Sequence, residues 1–120
     1  MEDFEKIYVD GVFVVAVNLV RSTMNEANEF RKILEDEISS GHTNLVIDLG
    51  KCDYVDSSFF GAIIMALRMM NDIDKKLKVV IPVNPREEIF VTTKTLRLFD
   101  LYESREEAIK SFEGDIQPES

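Results

Sequence analysis

Residues 44–70, NLVIDLGKCDYVDSSFFGAIIMALRMM, constrain this chain more than any other stretch. The β-favouring run Leu45, Val46 and Ile47 gives way to polar loop residues, and the loop delivers Asp56, Ser57 and Ser58 to the start of a long apolar helix. The helix is expected over residues 58–71, with Phe60, Ile63, Ile64, Leu67 and Met70 as its core-facing stripe. Its other face carries Gly61, Ala62, Met65 and Met69, with Arg68 as its only charge. A surface helix ordinarily solvates its outer face with several charges. This one is therefore either buried on two sides or presents an adaptable methionine patch to a protein partner. Two hydroxyls beside a carboxylate at a helix N-terminus admit two uses. They cap the helix, or they form an exposed acceptor for a phosphoryl group.

The flanking segments give this stretch a sheet to belong to. Residues 4–9 and 12–19 are β-favouring runs on either side of Asp10-Gly11, a pair that tolerates the positive φ of a tight hairpin. In the second run Val12, Val14, Ala16 and Asn18 share one side and Phe13, Val15, Val17 and Leu19 the other, so the strand is expected to be covered on both faces. An amphipathic helix follows over residues 24–39, with Thr23 and Glu26 as a capping box and Ala27, Phe30, Leu34 and Ile38 at helical spacing. Gly41 is placed to stop it.

After the central stretch, residues 78–81 read as a short strand. Asn84-Pro85 opens a third helix, to about residue 93, and residues 98–102 suggest a further strand. Ser104 and Glu107 form a second capping box ahead of Ala108, Ile109 and Phe112. The expected architecture is a single α/β domain over residues 1–113, a mixed central sheet of four to five strands with about four helices. Residues 114–120 are expected to be a frayed tail. Ligands and chemistry in such folds gather beyond the carboxyl ends of parallel strands, and the loop 50–57 leaves one of those ends.

Composition excludes several classes of function. A net charge of −9 disfavours nucleic acid and favours a basic protein surface as partner. The single cysteine, Cys52, is expected to pack rather than react, as suits a reducing cytoplasm. No apolar run reaches the ~18 residues that span a bilayer, so a soluble cytoplasmic protein without membrane insertion is expected. One histidine (His42) and one cysteine make no metal-ligand cluster, and the five glycines are isolated, so no phosphate loop is present. Ser57 lacks the glycine-flanked elbow of the common hydrolases, and only His42 offers an imidazole base. A receiver-type phosphoaspartate site also fails, because residues 17–21 hold no acidic pair. An enzyme is not expected, nor is a cofactor or a metal.

The run VIDLGKCDYVDSSFFG, with Asp48, Leu49, Asp56, Ser57, Ser58 and Gly61 in matching places, resembles the signature of the STAS domain family, which includes the bacterial anti-sigma factor antagonists. The element order and the segment LFDLYESREEAI resemble the family too. Three positions depart from its pattern: Phe59 replaces the usual glycine after the serines, residues 19–24 hold no Gly or Asp, and Thr95 stands where glycine is frequent. The resemblance implies a switch rather than an enzyme. Ser57, flanked by Asp56 and Ser58, would be phosphorylated by an anti-sigma factor that is also a serine kinase. The unphosphorylated form would bind that kinase and free a sigma factor, and a serine phosphatase would reset the cycle. The partner interface would comprise Phe59, Gly61, Ala62, Met65, Arg68 and Met69. The alternative is a constitutive STAS module, a stress-signalling scaffold or a lipid-transport complex subunit, with Ser57 only a helix cap.

Overall fold

A computed structural model describes residues 2–19, 21–22, 24–41, 44–81 and 100–115. The chain opens with β1 (Phe4–Val9) and β2 (Val12–Val17), paired antiparallel in the register Val9↔Val12. Asp10 at φ 52° and Gly11 at φ 78° form the tight turn between them, the left-handed pair that Asp-Gly is suited to supply. Next come β3 (Arg21–Ser22), α1 (Met24–Ser39), β4 (Asn44–Asp48), β5 (Tyr54–Val55) and α2 (Ser57–Asp72). The described residues end with β6 (Lys76–Val80), β7 (Asp100–Tyr102) and α3 (Arg105–Asp115).

The main sheet has five strands in the order β1-β2-β4-β6-β7, parallel except for the first pair. Side-chain alternation divides the apolar residues between its two faces. Phe13, Val15, Val17, Leu45, Ile47, Leu77 and Val79 join the large core under α1 and α2. Val12, Val14, Val46 and Val80 meet Ala108 and Phe112 of α3 in a smaller core on the opposite side. The expected facing of the second strand thus holds, and so does its burial on both faces.

Among the described residues there are three helices rather than about four. The expected helix over residues 84–93 lies outside the described residues, as do Thr23 and His42. The second strand stops at Val17, and α2 starts at Ser57, one residue earlier than expected. Helix α3 runs to Asp115, taking in two residues assigned to the tail. The two-stranded parallel pair β3–β5, Arg21↔Tyr54 and Ser22↔Val55, was not expected. Two-residue strands carry no periodicity to read.

Polar contacts fasten α3 to the sheet. Lys78 is 2% exposed and turns to the α3 side, where Nζ donates to Ser111 Oγ at 2.7 Å and lies 4.3 Å from the centre of the Phe112 ring. Arg105 Nε donates to Asp48 Oδ2 at 2.8 Å. The other Asp48 oxygen accepts the Gly50 amide at 2.9 Å, and a Cβ at Gly50 would stand 3.0 Å from that oxygen. Asp48 therefore ties the C-terminal end of β4 both to α3 and to the loop that leads to the serines. Ser104 Oγ accepts the Glu107 amide at 3.1 Å, the expected capping contact of α3.

Helix α2 ends in a Schellman arrangement, Lys75 N to Met70 O at 2.8 Å and Asp74 N to Asn71 O at 3.1 Å, with Asp74 at φ 58°. Glycine adopts that φ without a Cβ penalty, and an acidic residue at a helix C-terminus opposes the macrodipole. Asp74→Gly is therefore expected to stabilise the fold by about 0.5–1 kcal/mol, read as a thermal-melt rise of a few degrees.

Candidate functional site

The serines are presented by two consecutive pieces of local chemistry. The loop from β4 turns through Cys52 N to Leu49 O (2.9 Å), with the Cys52 side chain buried in the main core. The β3–β5 pair then fixes Tyr54 and Val55, and Val55 is buried. Asp56 follows in extended backbone, φ −83° and ψ 174°, as the N-cap of α2. Its Oδ1 accepts the Phe59 amide at 2.9 Å, satisfying one of the donors that a helix start leaves without a partner.

Asp56 thus does the capping, and the serines are left over. Ser57 and Ser58 occupy the first two helical positions and are exposed. Among the described residues their hydroxyls make no hydrogen bond. They line an open cleft of about 630 Å³ between the N-terminal turns of two helices. Gly61 lies on the same wall, and Asn25, Ala27, Asn28 and Arg31 of α1 form the other.

The expected interface is redrawn by the structure. Gly61 and Met65 are half-buried and Arg68 is exposed along the outer side of α2, whereas Met69, also half-buried, packs against the main core. Phe59 and Ala62 are 0% exposed and leave the interface. Phe59 stacks on Phe30 of α1 at 4.3 Å between ring centres, and on Phe4 of β1 at 6.2 Å. The buried stripe of α2 is Phe59, Ala62, Ile63, Ala66, Leu67 and Met70, while Phe60 and Ile64 are only half-buried against its edge. The helix is turned from its expected orientation because Phe59, not Phe60, completes the aromatic stack.

Sequence reasoning did not connect Arg31, Asn25 and Asn28 with the serines. In the sequence Arg31 is one more polar residue on the wet side of an amphipathic helix; its place opposite Ser57 follows only from how α1 and α2 pack. Among the described residues no group of three or more His, Cys, Asp or Glu is placed to hold a metal ion, and no helix is long and apolar enough to cross a membrane.

The STAS domain model matches residues 9–108, which includes every strand of the sheet except most of β1, and the whole serine loop. The chain belongs to the STAS domain family. BtrV of Bordetella bronchiseptica, provisionally named as an anti-sigma factor antagonist, is 25% identical over 105 residues, covering 87% of this chain and 89% of that protein. An anti-sigma factor antagonist from Mycobacterium paratuberculosis shares the fold with a TM-score of 0.80 at 19% identity, covering 90% of this chain and 91% of that one. The Bacillus cell fate determinant SpoIIAA in its phosphorylated form shares it with a TM-score of 0.70 at 16% identity, covering 91% and 98%. These likenesses make the five-stranded sheet, with the serine loop at the carboxyl end of its central strand, a STAS fold.

Proposed function

We propose that this chain is an anti-sigma factor antagonist, a protein-binding switch that docks on an anti-sigma factor with serine-kinase activity and lets go when Ser57 is phosphorylated. The observation that carries this reading is that the Ser57 hydroxyl is exposed and unbonded at the lip of a cleft, with the capping role taken by Asp56. A serine buried or spent on the helix end would be out of a kinase's reach. The antagonist names given to the similar proteins from Bordetella bronchiseptica and Mycobacterium paratuberculosis support the same reading.

The physical basis of switching is local. A phosphate on Ser57 adds about −1.5 to −2 charges to the docking face. The helix start, with its positive dipole end and free amides, tolerates that charge, so the fold persists while the surface changes. The chain performs no catalysis in this scheme. A partner kinase supplies the phosphate and a serine phosphatase removes it. The constitutive alternative needs Ser57 only as a helix cap, a role the Asp56 contact fills.

Incubation with the source organism's anti-sigma serine kinases and ATP, followed by mass-spectrometric mapping, tests the assignment. One added phosphate on Ser57, absent from Ser57→Ala, is the expected result. Phosphate on another residue, or none with any of these kinases, would overturn it.

A further inference from the structure

The cleft beside Ser57 has a second wall that phosphoryl acceptance alone does not require. The chain carries 23 acidic against 14 basic side chains, yet among the described residues no carboxylate lines this cleft. Arg31 does line it, exposed and without an ion pair or hydrogen bond among the described residues. Asn28, one turn earlier on the same face of α1, adds an amide donor. Across the cleft, Gly61 follows Ser57 by one helical turn, and a Cβ built there would meet nothing within 4 Å. Packing therefore does not demand glycine at this position, although glycine is among the poorest helix formers. Its missing side chain keeps the cleft open beneath the serines.

An open cleft with a free guanidinium on one wall and a phosphoryl acceptor on the other has a natural occupant. We infer that Arg31 is a positioning residue that receives the phosphate of phosphoserine 57 within this chain, drawing it into the cleft between α1 and α2. The planar guanidinium suits two phosphate oxygens at once. Asn28 donates to a third, and the space above Gly61 admits the group. The inference rests on the acceptor role proposed for Ser57 and gives it a mechanism. The phosphorylated state is a filled cleft with a pinned dianion, and α1 becomes part of the surface that the partner reads.

The test installs phosphoserine at position 57 during translation by stop-codon suppression, so no kinase is needed. The second ionisation of the phosphate is followed by phosphorus NMR in the full chain and in its Arg31→Gln, Arg31→Lys and Arg68→Gln variants. Asp56 raises that pKa and the helix end lowers it, but both are common to every variant, so the differences isolate the arginines. A cation at hydrogen-bond distance favours the dianion. Arg31→Gln is thus expected to raise the pKa by roughly 0.3–0.7 unit, the scale of an exposed ion pair. Arg31→Lys should recover part of the shift, and Arg68→Gln, three turns along α2, should leave the value unchanged. Equal pKa values for the parent and Arg31→Gln would overturn the inference, as would an equal shift from Arg68→Gln. Arg31 is exposed, so matching thermal melts are expected for all four proteins. Failure of every kinase to modify Ser57 would refute the acceptor role while leaving this titration fully readable.

Discussion

Phe59→Ala is expected to cost about 3–5 kcal/mol of stability, the range for removing a buried aromatic side chain, and to lower the melting temperature by about 10–20 °C. The ring is fully buried and nearly coplanar with Phe30, at an interplanar angle of 3°, while Phe30 stacks in turn on Phe4 at 5.4 Å. Strand β1, helix α1 and helix α2 each contribute one ring, so the stack fastens the first hairpin and both helices at the end of the molecule that carries the serines. Truncation would leave a void lined by two aromatic faces that the surrounding backbone cannot easily close. Against a typical total of about 5–15 kcal/mol, such a loss is large. Phe59→Gly should cost at least as much, because glycine is a poorer helix former than alanine. Thermal or urea unfolding reads both. A ring serving only as a partner contact would instead leave stability near the parent value and weaken binding alone.

The same residue shows where the sequence was legible and where it was not. The faces of β2 could be read directly because its alternation is strict: Phe13, Val15 and Val17 go to one core and Val12 and Val14 to the other. Helix α1 was equally plain, since Phe30, Leu34 and Ile38 form a stripe among charges. Helix α2 is different. Its apolar residues come in adjacent pairs, Phe59-Phe60, Ile63-Ile64 and Met69-Met70, so neighbouring rotations about the helix axis satisfy the periodicity almost equally. Tertiary contact chose between them: Phe59 matches the rings of Phe4 and Phe30, and the small Ala62 and Ala66 join the fully buried residues.

At the site itself, Asp56, Ser57 and Ser58 were visible as a group because a strand, a polar loop and an apolar helix follow one another within a single stretch. The division of labour among them was not. Which of three neighbouring oxygens caps the helix depends on backbone angles at Asp56. The opposite wall of the cleft was invisible for a simpler reason: Arg31 and Ser57 are 26 positions apart, and no periodicity links one helix's wet side to the next helix's first turn.

With an anti-sigma kinase in hand, Ser57→Ala is expected to bind as tightly as the unmodified chain whether or not ATP is present, and Ser57→Asp to bind more than a hundredfold less tightly. The cap belongs to Asp56, and position 57 is exposed, so removing its hydroxyl should change stability by no more than about 0.5 kcal/mol. An aspartate in the first turn of a helix is favourable to the macrodipole, so Ser57→Asp should fold at least as stably as the parent. Lost binding by this variant is then a property of the docking surface and not of the fold. A carboxylate in a closely fitted interface brings a desolvation cost, and a loss of about 3 kcal/mol corresponds to a factor above one hundred in affinity. Calorimetric titration of the two variants against the kinase, each with its thermal melt recorded alongside, separates the readings. Equal affinities would mean that charge at position 57 does not control docking, and the constitutive interaction module would then be the better account of this surface.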